Sequence, residues 1–245
     1  MLVPFLAVCV SSRVSGSLRI LGGTIAENAA YPFMVSLRLF PNILLCGGTI
    51  VNNRWILTAA HCMINETISM ITVVAGTNML QSDRTYSWIQ WVVIHPDFIE
   101  TGIGPNDIAL IRLSSPLRYS GTIAAVTLDV GGSESTDVTM IGWGSSRRGG
   151  PVSNRLRQYS TQILRQDMCT RHYNYVTAKQ FCTKSKRGSG ICDGDSGGPL
   201  IDTRTKTQLG IASFASIRGC GIAPDVYTRV SSYITWIQKT INPQN

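Results

Sequence analysis

The chain has 245 residues, of which 44% are hydrophobic, and a formal net charge of +8 at pH 7. This length and apolar content suffice for a sizeable core in one globular unit. The sequence contains no low-complexity tract, heptad repeat or nucleotide-binding loop. The charge is modest and accompanies no nucleic-acid-binding motif, so solvated surface loops explain the basic residues better than a nucleic-acid partner does.

An apolar run from Met1 to Val10 opens the chain and is soon followed by Arg13. This run is shorter than the roughly 20 residues that a membrane-spanning helix needs. We interpret residues 1–14 as a secretory signal, with cleavage near the small residues Ser15 and Gly16. No second apolar span follows, so no membrane association is predicted.

Short runs rich in β-branched or aromatic residues recur along the rest of the chain, separated by turn residues. Residues 71–74, 91–94 and 210–212 are examples. Runs of this length and composition are typical of strands. By themselves they predict an all-β fold, either a sandwich or a barrel.

Three positions carry side chains of complementary chemistry. His61 stands beside a cysteine, Asp107 precedes an apolar strand, and Ser196 lies in the glycine-rich loop 192–200. A serine hydroxyl is a poor nucleophile at neutral pH and needs a neighbouring base. The glycines would let the backbone N–H groups of Gly194 and Ser196 converge on an oxyanion. Taken alone, the loop could equally be a Gly-Asp-Ser surface turn.

Six short segments occur in order along the chain. They are Ile20-Leu21-Gly22-Gly23, Thr58-Ala59-Ala60-His61-Cys62, Asn106-Asp107-Ile108-Ala109-Leu110, Gly142-Trp143-Gly144, Cys192-Asp193-Gly194-Asp195-Ser196-Gly197-Gly198-Pro199-Leu200 and Pro224-Asp225-Val226-Tyr227. In this order they closely resemble the trypsin/chymotrypsin family of serine endopeptidases, in particular its invertebrate-type secreted zymogens. The resemblance runs from Ile20 to the C-terminal end.

The resemblance implies an all-β fold of two packed six-stranded antiparallel β-barrels with a C-terminal helix, and an active site in the crevice between the barrels. It implies that Ser196 is the nucleophile, that His61 is the general base and acid, and that Asp107 orients the imidazole. The N–H groups of Gly194 and Ser196 would form the oxyanion hole. Ser213 would support Asp107.

An activation step is implied at Arg19-Ile20. The family's zymogens are cut by a trypsin-like protease, which here would remove a pro-segment of residues 15–19 and leave a protease domain of residues 20–245. The new α-amino group of Ile20 would then pair with Asp195. A buried carboxylate without a partner is costly, so this pairing can act as a switch.

Seven cysteines are present, and Cys9 lies in the segment that we expect to be removed. Six cysteines permit fifteen pairings. The resemblance selects Cys46 with Cys62, Cys169 with Cys182, and Cys192 with Cys220. Disulfides imply a secreted, extracellular protein. A zinc site is the competing interpretation, but no Cys-x-x-Cys or paired histidines support it.

The primary substrate pocket departs from the trypsin pattern. Gly190 stands where trypsin-like members carry an aspartate at the base of the pocket, so simple trypsin-like specificity is not expected. Ile191 should narrow the pocket. In the strand Ser213-Phe214-Ala215, which would pair with the substrate backbone, Ala215 adds a methyl group at the pocket mouth.

Asp225 replaces a glycine on the opposite wall, and by resemblance to proteases of mixed specificity it would point into the pocket. Its carboxylate could pair with a substrate Arg or Lys, or with a local group such as Arg218. We therefore expect a chymotrypsin/elastase-like or mixed preference, with trypsin-like cleavage through Asp225 as the alternative.

The remaining candidate sites are one glycosylation sequon, one region that binds calcium in some relatives, and two further histidines. Asn65 begins the only N-glycosylation sequon. Asp83 is the only acidic residue in 73–83, where some relatives hold calcium, so no structural calcium is expected. His95 and His172 have no metal partner at helical spacing and are interpreted as structural or solvated.

The C-terminal segment predicts an amphipathic helix packed on the second barrel. Ser231 and Ser232 could cap its start. The apolar residues at helical spacing are Tyr233, Ile234, Ile237 and Ile241, with Trp236 beside them. This spacing places them on one face of a helix.

The sequence thus predicts a secreted serine endopeptidase that acts on proteins or peptides without a cofactor or metal. Its expected partners are protein substrates, an activating trypsin-like protease and protein protease inhibitors, and a monomer is expected. The short pro-segment favours a digestive or general protease over a component of a body-fluid cascade. A non-catalytic homologue that works by binding is the alternative class, and the presence of His61, Asp107 and Ser196 argues against it.

Overall fold

A computed structural model of the chain describes residues 23–82, 85–100, 104–185 and 189–242. The expected signal, pro-segment and Arg19-Ile20 cleavage site lie outside the described residues, as does Asp83.

Thirteen strands and two α-helices are formed within the described residues. The strands are β1 (Thr24–Ile25), β2 (Met34–Leu39), β3 (Ile43–Asn52), β4 (Trp55–Thr58), β5 (Ile71–Ala75), β6 (Thr85–Ile94), β7 (Ala109–Leu113), β8 (Asp137–Gly142), β9 (Arg157–Gln162), β10 (Gln180–Thr183), β11 (Pro199–Asp202), β12 (Gln208–Phe214) and β13 (Asp225–Arg229). The helices are α1 (Gln166–His172) and α2 (Ile234–Ile241).

The first unit is a closed antiparallel barrel with the strand order β2-β3-β4-β7-β6-β5. Side chains alternate between its two faces, as the two-residue period of a strand requires. In β6, for example, Ser87 and Ile89 are buried whereas Tyr86 and Trp88 are exposed. Closure pairs every strand on both sides, so this unit has no free sheet edge.

The second unit is a seven-stranded sheet in the order β1-β9-β8-β11-β12-β13-β10. A single antiparallel bridge between Ile163 and Thr183 brings the end of β9 to β10. The hydrogen bond from Leu164 N to Cys182 O, 2.8 Å long, lies beside it. Six strands thereby form a ring, and the two-residue β1 lies outside it on β9. The all-β, two-unit architecture is confirmed, with β1 as an addition to the second unit.

A shared core holds the two units together. The largest apolar cluster joins first-barrel residues such as Leu37 and Leu110 to Ile211 of β12 in the second unit and to Ile237 of α2. Burial of this cluster removes apolar surface of both units from water and so opposes their separation. The packing of the two units on each other is therefore a fixed feature of the fold.

The C-terminal helix is present, but it begins later than expected. Ser231 and Ser232 lie in a 3₁₀ turn, Val230–Tyr233, and α2 starts at Ile234 without a side-chain capping hydrogen bond. The serine-cap prediction was therefore wrong. Val230 and Tyr233 are both buried, so packing of this turn and not a capping side chain sets the start of α2. In the described part of the chain, no helix combines the length and apolarity that crossing a bilayer requires.

Candidate active site

Strand pairing brings His61 and Asp107 together. His61 follows β4 in a short 3₁₀ turn, Asp107 precedes β7, and these two strands pair with Thr58 opposite Ala109. The imidazole Nδ1 lies 2.8 Å from Asp107 Oδ2, and the backbone N–H of His61 donates to Oδ1 at 3.0 Å. Both carboxylate oxygens thus orient the histidine, in line with the orienting role expected of Asp107.

The second unit completes the surroundings of Asp107. The hydroxyl of Ser213 on β12 donates to Asp107 Oδ2 at 2.5 Å, and the hydroxyl of Thr228 on β13 donates to the Asp107 carbonyl at 2.9 Å. Asp107 itself is fully buried. The expected contact with Ser213 is present, whereas Thr228 was not identified from the sequence, because nothing local marks a threonine as the partner of a distant carbonyl.

The loop that carries Ser196 is held between both units. The carbonyl of Ser196 accepts a hydrogen bond from Gly47 N at 2.8 Å, and Gly197 N donates to Ala212 O at 2.9 Å. Gly197 has φ +74°, and a Cβ there would lie 2.2 Å from Thr58 Oγ1. Only glycine combines this conformation with so close an approach.

Two backbone N–H groups of this loop are available to a ligand. Those of Asp195, Gly197 and Gly198 all donate to protein carbonyls. Those of Gly194 and Ser196 donate to no acceptor among the described residues. Gly194 has φ +93°, a conformation that favours glycine. These are the two donors expected to form an oxyanion hole.

Ser196 and His61 are not joined by a direct hydrogen bond in the described structure. Instead, His61 Nε2 lies 3.7 Å from Cys62 Sγ. A hydrogen bond between a nucleophile and its general base is often long when no substrate is bound, and it shortens on substrate binding. The structure therefore orders the His61 ring through Asp107.

The three disulfides join the expected pairs: Cys46 with Cys62, Cys169 with Cys182, and Cys192 with Cys220. Cys46, Cys62 and His61 also form a cluster of metal-binding size within the described residues. A disulfide sulfur has no thiolate to offer a metal, so this cluster does not fit a zinc site. The first disulfide instead fixes the turn that carries His61.

Asp195 lies in a cage formed by Gly142 and Gly144. Its carboxylate accepts hydrogen bonds from Gly144 N at 2.8 Å and Cys192 N at 3.1 Å. Burial raises the pKa of Asp195 from 3.8 to about 7. A Cβ on either glycine would lie 2.1 Å from a carboxylate oxygen. Glycine is therefore required at both ends of the Gly-Trp-Gly motif because the Asp195 carboxylate occupies the space of a side chain there. The sequence alone did not show this reason.

A cavity of about 160 Å³ lies beside Ser196. Ile191, Phe214 and Ala215, three residues predicted to line the substrate pocket, supply apolar parts of the lining of this cavity. Arg148 also lines the cavity and donates from Nη1 to the carbonyl of Ile217, an interaction that the sequence did not indicate. The sequence could not indicate this role, because Arg148 lies more than 40 residues before the other residues that line the cavity.

Asp225 is buried behind this cavity and is not among its lining residues. Its Oδ2 accepts from Ile191 N at 2.9 Å, whereas Oδ1 is buried without a hydrogen-bond partner among the described residues. Burial raises the pKa of Asp225 to about 7. A Cβ at Gly190 would lie 2.4 Å from Oδ2, so glycine there makes room for the carboxylate. Within the described residues, no ion pair or hydrogen bond joins Asp225 to Arg218, whose backbone N–H donates to Ser216 Oγ.

The remaining candidates lie apart from this site. His95 is buried against Tyr233 and Trp236, and burial lowers its pKa, so it is structural. His172 is exposed at the end of α1. Asn65 is exposed in a turn with φ +58°.

Comparison with known proteins agrees with this geometry. Residues 20–237 match the model of the Trypsin family. The chain is 36% identical to chymotrypsin-2 of Vespa crabro over 90% of this chain and 99% of that protein. It is 37% identical to brachyurin of Leptuca pugilator over 89% of this chain and 97% of that protein. Neuropsin, a serine protease expressed in the limbic system of mouse brain, superimposes with a TM-score of 0.82 at 31% identity, covering 91% of this chain and all of that structure. The chain therefore belongs to the trypsin family of serine endopeptidases.

Proposed function

We propose that this endopeptidase cleaves peptide bonds through an acyl-enzyme formed on Ser196. The main support for the proposal is the series of hydrogen bonds that joins Ser213, Asp107 and His61. The loop that carries Ser196 also has two backbone N–H groups that donate to no acceptor among the described residues. His61 takes the proton of the Ser196 hydroxyl as the oxygen attacks the scissile carbonyl, and then gives it to the leaving amine. Asp107 stabilises the imidazolium, and the N–H groups of Gly194 and Ser196 bind the oxyanion.

The pocket supports a preference for apolar residues before the scissile bond. Ile191, Phe214 and Ala215 offer a substrate side chain apolar surface, and the cavity of about 160 Å³ is small. The carboxylate of Asp225 lies one layer deeper. It would serve as a secondary attraction for Arg or Lys when Ile191 moves aside. A relative named chymotrypsin-2 supports this chymotrypsin-like or mixed preference.

The zymogen proposal rests on Asp195. Its buried carboxylate has two backbone donors and no cation among the described residues. Cleavage after Arg19 would release the α-amino group of Ile20, and this ammonium would supply the missing charge. Pairing would then hold the loop of Gly194 and Ser196 in its ordered form.

Secretion is proposed from the three disulfides, which persist in an oxidising compartment. The exposed turn at Asn65 makes the sequon accessible to glycosylation. A digestive role as a monomer, open to protein protease inhibitors, completes the proposal, with residues 1–14 as signal, 15–19 as pro-segment and 20–245 as the protease domain.

The test is to activate the purified chain with trypsin, remove the trypsin, and profile hydrolysis of peptides that vary only in the residue before the scissile bond. We expect cleavage after apolar residues, lost in Ser196→Ala and absent in Arg19→Gln, which cannot be cut at the proposed site. If the Ser196→Ala variant hydrolysed peptides like the parent, the mechanism would be wrong. A folded and activated chain without any activity would favour the non-catalytic class.

The same profile tests the role of Asp225. Asp225→Gly removes the carboxylate without filling its space, so cleavage after Arg or Lys should fall at least about tenfold relative to cleavage after Leu or Phe. The matched control is Asp137→Gly, which removes an exposed carboxylate at the start of β8. An unchanged ratio in Asp225→Gly would exclude Asp225 from substrate selection.

A further inference from the structure

Asn106, the residue before Asp107, is buried and adopts φ +67°, in the left-handed region that asparagine tolerates better than most residues. Its carbonyl accepts a hydrogen bond from Ile108 N at 2.8 Å, which closes a tight turn around Asp107. Its Nδ2 donates to Asp97 O at 3.0 Å within the same loop. The conformation of Asp107 therefore depends directly on how Asn106 is held.

The second unit holds Asn106 through Tyr233. The N–H of Asn106 donates to Tyr233 Oη at 2.9 Å, and this hydroxyl donates in turn to Asn106 Oδ1 at 3.1 Å. Burial raises the pKa of Tyr233 to about 12, so the hydroxyl keeps its proton at neutral pH and stays a donor. Tyr233 is itself fixed by its ring contact with His95, whose centroid lies 5.3 Å away.

Lys179 reaches the same amide from the loop before β10. Its Nζ donates to Asn106 Oδ1 at 3.1 Å and lies 5.7 Å from the centroid of the Tyr233 ring. No carboxylate of the described residues lies within ion-pair distance of this ammonium. A lysine on an exposed loop could extend its ammonium into water, but that of Lys179 is hydrogen-bonded to the side chain of Asn106, the residue before Asp107.

These contacts cross the boundary between the two units. His61 follows β4 and Asp107 precedes β7, both strands of the first barrel. Lys179 precedes β10, Ser196 precedes β11 and Tyr233 follows β13, all strands of the second unit. Proton transfer between Ser196 and His61 requires the two units to hold their side chains within a fraction of an ångström. A brace from the second unit onto the residue before Asp107 meets this need.

We propose that Asn106 is a positioning residue for Asp107, and that Lys179 and Tyr233 act through it to hold the Asp107 turn against the second unit. This inference rests on the proposed function of Asp107. It predicts that loosening the brace lowers the rate of the chemical step and leaves substrate affinity nearly unchanged, because none of the three residues lines the substrate cavity.

The chain supplies a matched pair of controls. Lys206 Nζ donates to Thr203 O at 2.9 Å and lies 5.6 Å from the Tyr31 ring, and the buried Tyr31 hydroxyl donates to Gln158 Oε1. Like Lys179, this lysine donates one hydrogen bond and lies near a tyrosine ring, and like Tyr233, this tyrosine donates to a side-chain amide oxygen. None of these partners belongs to the proposed site. Variants of Lys206 and Tyr31 therefore measure how far the loss of a lysine contact or of a buried tyrosine hydroxyl changes activity and stability away from the proposed site.

The experiment compares kcat and KM of the full chain, cut after Arg19, with those of four variants. We expect Tyr233→Phe to lower kcat about tenfold and Lys179→Met about threefold, with KM within about twofold of the parent. Tyr31→Phe and Lys206→Met should keep both constants within about twofold, although the two tyrosine variants lose similar thermal stability. Lys179→Arg keeps the charge and donors and should restore most of kcat.

Coupling provides a second readout that a purely structural role would not move. Because Tyr233 and Lys179 share one acceptor, the double variant should lose less kcat than the product of the two single losses. Equal kcat values in Tyr233→Phe and Tyr31→Phe, and in Lys179→Met and Lys206→Met, would overturn the inference while leaving the proposed function intact. A parent chain without Ser196-dependent activity would instead refute the proposed function and this inference together.

Discussion

Asp195 and Asp225 are both buried carboxylates, but they differ in the number of hydrogen bonds that they accept. Burial raises the pKa of each to about 7. Asp195 receives two backbone hydrogen bonds, whereas Asp225 receives one and leaves Oδ1 without a partner among the described residues. This difference fits the proposed roles, in which Asp195 pairs with the ammonium of Ile20 and Asp225 attracts a substrate cation.

The raised pKa of Asp225 has a consequence for stability. A carboxyl group with a pKa of about 7 in the folded chain and 3.8 otherwise binds its proton more tightly when folded. The folded state is therefore favoured at low pH, and this contribution is lost as pH rises from about 4 to about 7. Ionised Asp225 opposes folding above that range.

Asp225→Asn should remove this pH dependence. Relative to the parent, the variant should gain about 2 kcal/mol in free energy of unfolding between pH 5 and pH 8. The measurement is urea unfolding at both pH values, with Ser196→Ala in both chains to prevent self-digestion. A stability difference that is the same at pH 5 and pH 8 would contradict the assignment.

At the scale of the structural element, the site is built from loops that pass unusually close to one another. Gly144 N donates to the Asp195 carboxylate at 2.8 Å, and a Cβ on Gly197 would lie 2.2 Å from Thr58 Oγ1 and 2.6 Å from the carbonyl oxygen of Gly47. Strands β4, β7, β11 and β12 hold the ends of these loops in place. The loops therefore need small residues where they meet, while the strands supply rigidity.

Gly144→Ala tests this close approach. Its Cβ would lie 2.1 Å from Asp195 Oδ2, so the carboxylate must move and the N–H groups of Gly194 and Ser196 should lose their alignment. We expect kcat/KM on a peptide substrate to fall at least about a hundredfold.

Gly121→Ala is the control for that change, because a Cβ there meets nothing within 4 Å. It should keep parental activity. Parental activity in Gly144→Ala would show that the Asp195 cage tolerates displacement and is not required for the alignment of the loop.

At the scale of the whole molecule, the two units meet through polar as well as apolar contacts. Thr49 of β3 donates from Oγ1 to Gln208 Oε1 of β12 at 2.8 Å, and both residues are fully buried. A buried hydrogen bond contributes modestly when made, but a partner left unpaired costs the desolvation of its polar atom. This bond therefore helps to fix how the first barrel sits on the second unit.

Gln208→Leu should destabilise the chain by about 1 to 3 kcal/mol, because Thr49 Oγ1 is left buried and unpaired. Thr49→Val combined with Gln208→Leu should recover part of that loss. Urea unfolding in the Ser196→Ala background measures both, with the exposed Gln162→Leu as a surface control expected to stay within about 0.5 kcal/mol. If the double variant were no more stable than Gln208→Leu alone, an unpaired hydroxyl would not be the cause of the loss.

Much of the chemistry was predictable from the sequence, because local motifs name the reacting groups. The segments around His61, Asp107 and Ser196 identified a histidine that the structure joins to Asp107 and a serine loop that it bonds to the first barrel at Gly47. The pairing of the cysteines and the two-unit fold followed from the resemblance that these motifs carry. Residue spacing alone would have left the disulfides and the choice between sandwich and barrel open.

Only the tertiary structure decided how the units are fitted together. It placed Lys179 and Tyr233 on Asn106, moved Asp225 behind Ile191, and brought Arg148 to the cavity. It also set the start of α2 through the burial of Tyr233 and not through a serine cap. The physical reason is common to all of these: the partners lie far apart along the chain, and their contacts exist only once two separately closed units pack on a shared core.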